Sequence, residues 1–153
     1  MSHENFAGNI IVNLANLPDF LRKPILRKRM NEFFTLSSLD QLEIINNALE
    51  AGPTIPFPNF AKLFSTWLEI LAAMPEKDKM TLVSAYIFEI LKDPHKLILF
   101  NLDGILEVFS TIDKSNQESI ADTIRKIFSS LSEQQRRQFF LIIPKVAKEK
   151  LGI

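Results

Sequence analysis

Glu69, Asp103 and Glu107, together with Arg22, Lys23, Arg27, Lys28 and Arg29, are the side chains in this sequence best suited to recognise a charged ligand. Asp103 and Glu107 stand four residues apart, so a helix would present both from one face. Two acids without further ligands make a poor cation site. With Glu69 beside them they suit a basic or helical peptide instead. The cations, five within eight residues, have the density that the phosphates of a nucleic acid or an anionic membrane surface select. Lys23, Arg27, Lys28, Arg136 and Arg137 form that candidate set. Solvated helix faces are the plain alternative for both groups, because exposed charges need no ligand to account for them.

Catalytic chemistry finds little to use. His3 and His95 are the only histidines, and neither stands in the His-Glu-x-x-His spacing that puts two zinc ligands on one helix face. Neither Gly-x-Ser-x-Gly nor a phosphate-cradling glycine loop occurs. Without cysteine there is no thiolate nucleophile, thiolate metal site or disulfide. The sequence therefore predicts no enzyme, no metal and no cofactor, and points to a protein that holds a protein or peptide partner.

The elements that must position these charges follow a 38-residue period. Phe6, Ile44, Leu82 and Ile120 fall in one column, and Ile10, Ala48, Tyr86 and Ile124 in the next; Leu14, Gly52, Ile90 and Phe128 complete a stripe with a spacing of four. A second stripe runs through Leu26, Met30, Phe33 and Leu36 and through their equivalents 38, 76 and 114 residues later. Across both stripes all but Gly52, Pro144 and Lys150 are apolar, so each unit offers two helices with a buried side. Pro18, Pro56 and Pro94 share a column that ends in Ser132, and proline is well tolerated where a helix begins because its missing N–H has no partner there. Asp93 is a candidate cap before Pro94, and Ser38 with Gln41, Ser115 with Glu118 and Ser132 with Gln135 have capping-box spacing. Pro75 can open the corresponding helix of the third unit. These signals predict eight helices, over 4–17, 19–35, 38–51, 57–73, 76–92, 95–111, 115–130 and 133–150. Pro24 and Pro144 fall inside two of them and predict kinks or breaks. Gly52 to Pro58, with three prolines, predicts a stiff extended loop. Nothing alternates with period two for long enough to suggest a strand.

Helix pairs at this spacing resemble the HEAT-like and related α-solenoid families, whereas the tetratricopeptide and ankyrin signatures are absent. The resemblance implies a right-handed α-solenoid of four two-helix repeats, about 1–36, 37–74, 75–112 and 113–150, in one all-α domain; a compact multi-helix bundle is the alternative. Stacking of that kind would align Arg27, Ser65, Asp103 and Leu141, and beside them Asn31, Glu69, Glu107 and Lys145, as a groove with an acidic centre. It also offers a second explanation of the cations, since the outer faces of terminal repeats must be polar. Arg22 shares a column with Phe60, Ile98 and Arg136, and Arg29 one with Trp67, Ile105 and Ile143; Lys23, Arg27 and Lys28 are left over. Trp67, on the same helical side as Phe60, Phe64 and Leu71, reads as core rather than as a stacking platform.

Length and composition fit one globular domain of 153 residues with a generous aromatic core, 13 of its residues being phenylalanine. The formal net charge is zero but unevenly spread: +2 over residues 1–38, −4 over 39–76, −1 over 77–112 and +3 over 113–153. Glu4 and Asn5 stand where a secretory leader would carry cations and an apolar run, and no stretch is apolar for long enough to cross a bilayer, so the cytoplasm is the expected location. Nucleic acid remains the alternative partner. Self-association is a third reading, because Phe139, Phe140, Leu141, Ile142 and Ile143 cannot all face inward from one helix.

Overall fold

The computed structural model describes the backbone of residues 6–153 and the side chains from Asn9 onward. The expected helix start at residue 4, the place of Phe6 in the core column and the surroundings of His3 lie outside the described residues. Among those described, the protein is all-α, with ten helices and no strand. They are α1 (Phe6–Ala15), α2 (Asp19–Phe33), α3 (Ser38–Ala51), α4 (Phe57–Ala73), α5 (Glu76–Lys92), α6 (His95–Ile98), α7 (Leu102–Thr111), α8 (Lys114–Ser130), α9 (Glu133–Ile142) and α10 (Lys145–Leu151).

Helix starts keep the 38-residue spacing. Pro18, Pro56, Pro94 and Ser132 are the N-cap residues of α2, α4, α6 and α9, and Ser37, Pro75 and Asp113 those of α3, α5 and α8. Helix ends do not keep it. The expected helix over 95–111 is two helices, because Asn101 caps α7 by accepting from the Gly104 N–H at 3.0 Å, while Phe100 turns inward against Phe60 with ring centroids 5.6 Å apart. The last helix breaks at Pro144 as its chemistry requires: Ile143, the residue before the proline, is extended at φ −96° and ψ 145°. Pro24 breaks nothing, and α2 runs through it. Its ring lies on the exposed side, where water can take the carbonyl that loses its partner.

Several local expectations need correction. Gly52–Thr54 forms a 3-10 turn that continues α3, so the extended stretch shrinks to Ile55 and Pro56. Ser37 rather than Ser38 caps α3, accepting from the Asp40 N–H at 3.2 Å, and the Gln41 amide instead donates back to the Phe33 carbonyl at 3.0 Å. Gln117 does the same at the start of α8, donating to the Ile112 carbonyl at 2.8 Å, so Ser115 and Glu118 form no box. Asp93 ends α5 without capping α6 through its side chain. Ser132 and Gln135 form the reciprocal box, at 2.9 and 3.1 Å.

Packing follows the helix order. α1 lies on α3, α3 on α5 and α5 on α8, while α2 lies on α4 and α4 on α7. α4 also meets α1 and α8, and at α8 the Ser119 hydroxyl donates to the Ala72 carbonyl at 3.3 Å. A single apolar core runs from Leu14 to Phe139. Along α4 an aromatic ladder links Phe57, Phe60, Phe64 and Trp67 at 5.6–6.1 Å, and Trp67 meets Tyr86 of α5 edge to face at 5.7 Å. These rings are packed against the core. None of the described helices is long and apolar enough to cross a membrane.

Candidate binding groove and the charged side chains

α2, α4 and α7 enclose a groove of about 440 Å³. Asp19, Arg22 and Lys23 contribute from α2, Ala61, Lys62, Ser65, Thr66 and Glu69 from α4, and Val108 and Thr111 from α7. Glu69 of α4 pairs with Lys23 of α2 at 3.4 Å, both side chains being near half-exposed. Ser65 lines the groove too, but Asp103 and Glu107 do not. Both are exposed on α7, one and five residues before Val108, and neither makes an ion pair among the described residues. Of the predicted acidic trio, the groove thus holds Glu69, with the α7 pair at the surface of an adjoining helix. Cations share the space: Lys23 and Lys62 make it mixed in sign rather than uniformly acidic.

The candidate phosphate set disperses into different environments. Arg27 and Lys28 are exposed on α2 and make no ion pair among the described residues. Lys23 is engaged by Glu69, and exposed Arg137 by Glu133 of its own helix at 2.6 Å. Arg136 is half-buried, donating to the Phe128 and Leu131 carbonyls at 3.3 and 3.0 Å.

Arg22 corrects the end-cap reading most sharply. It is 3% exposed. Its guanidinium donates to the Leu14 carbonyl at 3.0 Å and to the Leu17 carbonyl, and it pairs with Asp19 at 2.5 Å. A helix C-terminus leaves carbonyls without intrahelical donors, and a planar guanidinium can serve two of them at once. Arg22 therefore ties the end of α1 to the start of α2. Arg136 performs the same task between α8 and α9, through carbonyls at the same offsets of eight and five residues. Sequence carried that signal: Leu14 and Phe128, Leu17 and Leu131, and Arg22 and Arg136 occupy matching columns of the repeat. Arg29, by contrast, is exposed and meets Glu32 at 3.4 Å.

Two polar seams join neighbouring helices. Between α5 and α8, buried Lys79 donates to the Ser119 hydroxyl at 2.6 Å and meets Glu76 at 3.1 Å. The Lys79 bond holds the Glu76 carboxyl below its ordinary range, with Lys126 adding to the effect. Near α3, α5 and α6, buried Glu89 accepts from the Asn46 side-chain amide at 2.8 Å and pairs with Lys92 at 2.7 Å, while Lys96 donates to Asn46 Oδ1 at 2.5 Å. Lys92 is the chief cause that lowers the Glu89 pKa, against the opposing effect of burial. Both seams are satisfied internally and open on no cavity described above.

The segment Phe139–Ile143 is mostly covered. Phe139 is buried, and Phe140 stacks on Phe128 at 6.0 Å with the Lys148 ammonium 4.9 Å from its ring centroid. The break at Pro144 lets α10 lie on α8, leaving Leu141, at 86% exposure, as the one strongly exposed member.

No group of three or more His, Cys, Asp or Glu side chains among the described residues could hold a metal ion. No family model matches the chain, and no curated protein or solved structure matches it significantly.

Proposed function

We propose that this protein is a non-enzymatic helical-repeat scaffold of the cytoplasm, built on the HEAT-like plan, that binds a protein or peptide through the groove between α2, α4 and α7. The observation that carries the reading is the groove itself, which runs between successive second helices and presents Glu69 beside apolar and hydroxyl side chains. Asp103 and Glu107 are exposed on α7, the helix that contributes Val108 and Thr111 to the groove, and on this reading they add acidic character beside it. A basic amphipathic helix fits this arrangement: one cation would displace Lys23 from Glu69, others would meet the α7 acids, and its apolar side would face Ala61 and Val108.

Nucleic acid is less well served. Arg136 is committed to carbonyls, Lys23 and Arg137 to carboxylates, and the groove contains Asp19 and Glu69. A labelled helical peptide of leucine and lysine at 3.6-residue spacing is the probe. Fluorescence anisotropy should give saturable binding to the native protein, weakened at least roughly tenfold by Glu69→Lys with Glu107→Lys. Equal affinity for both proteins would remove the groove reading.

A further inference from the structure

α2 presents a second surface on the side away from the groove. Its buried residues Arg22, Leu26, Met30 and Phe33 define the inward side. On the opposite side run two neighbouring ridges, Phe20, Pro24 and Arg27, and Leu21, Ile25 and Lys28, each at spacings of four and three. Every one of these six residues is exposed, Phe20 at 76%. Such apolar exposure on a helix at the open end of a stack leaves room for another helix to pack.

The ridges are apolar at their start and cationic about 10 Å further on, two helical turns along the axis. Both acids of α2 are already engaged, Asp19 by Arg22 and Glu32 by Arg29, so Arg27 and Lys28 are the uncompensated charges on this face. From these features we infer that the outer face of α2 docks a helix of a partner protein in which an apolar pair is followed, about two turns on, by acidic side chains.

The arrangement of charge selects this occupant over others. A helix lying in a membrane interface segregates apolar and cationic residues around its circumference, so that the apolar side sinks and the charges stay in the headgroups. Here they are segregated along the axis of the same ridges, and a lipid surface would have to take Arg27 and Lys28 to the depth of Phe20 and Leu21. Head-to-tail stacking of two copies would set a segment of +2 against one of +3. A DNA backbone would have no use for the exposed phenylalanine.

The inference rests on the reading of the chain as a partner-binding scaffold but uses none of the groove's residues. Its probe is a labelled helical peptide of about fifteen residues with two leucines near one end and two glutamates two turns away. A scrambled peptide of the same composition serves as control. Anisotropy should show saturable binding that weakens at least roughly tenfold with Phe20→Ser plus Ile25→Ser, and equally with Arg27→Glu plus Lys28→Glu. The substitutions lie at exposed positions, and unchanged circular dichroism would verify folding. Glu69→Lys with Glu107→Lys should leave this binding intact, which separates it from the groove. The inference is overturned if the ordered peptide does not bind, if the scrambled one binds as well, or if either pair of substitutions has no effect. Tighter, Phe20-dependent binding to phosphatidylserine vesicles would overturn it in favour of a membrane, and Phe20-dependent dimerisation in sedimentation equilibrium in favour of a second copy.

Discussion

Replacing Arg22 by alanine should expose how much one buried guanidinium holds together. The change removes the donor to the Leu14 and Leu17 carbonyls and leaves them enclosed, a loss of about 2–4 kcal/mol in urea unfolding. Arg22→Lys should recover little, since an ammonium lacks the fork that serves two carbonyls and Asp19 together; full recovery would mean that charge alone matters. Column position in the repeat pairs Arg22 with Arg136, but a basic residue at a terminal repeat reads as surface, and only the path of the chain at the α1–α2 turn shows it folded inward. The Glu89 carboxylate gives a pH-dependent counterpart. Its folded pKa is lowered, so its contribution is present above the ordinary value of 4.5 and is lost as pH falls through the folded value. Glu89→Gln should therefore reduce stability at neutral pH and flatten the acid-side decline; an unchanged pH profile would show that Asn46, Lys92 and Lys96 do not favour the charged form.

Helix beginnings were far more legible than helix ends. Proline at Pro18, Pro56 and Pro94 fixes φ and cannot continue a preceding helix, so its recurrence marks starts directly. Ends depend on which side chain finds a place in the core. Phe100 leaves the helical path to pack against Phe60, and at the same junction Gly52 accepts it: a Cβ there would stand 2.5 Å from the Phe100 ring. No local propensity announces this. Neither was it legible that Gln41 and Gln117 would abandon capping for the preceding helix end, because the choice between two satisfied geometries is made by tertiary distance. Gly104 shows the same competition between local and distant forces. A Cβ at this position of α7 would collide with the Phe57 ring of α4. Overpacking costs about 1–3 kcal/mol and helix propensity returns about 1 kcal/mol, so Gly104→Ala should be destabilising by up to about 2 kcal/mol in chemical denaturation. Phe57→Leu in the same chain should relieve part of that loss; strict additivity would mean that ring and methyl do not meet.

At the scale of the molecule, the 38-residue period sets where helices start, and the breaks after Leu99 and before Pro144 decide where they go. α4 meets α8 as well as α7. That contact is not visible in the period, which marks helix starts and not which helices meet. Glu69 was legible as a groove candidate, whereas Ala61, Lys62, Thr66, Val108 and Thr111 stand out only once α7 is placed beside α2 and α4. The scaffold account predicts that this groove is where a partner lies. Nuclear magnetic resonance titration of the labelled protein with the basic leucine–lysine peptide tests it most directly. Saturating shifts confined to Asp19–Lys23, Ala61–Glu69 and the Asp103–Thr111 stretch of α7 are the predicted result, and shifts that fail to saturate or that gather elsewhere on the molecule would contradict it.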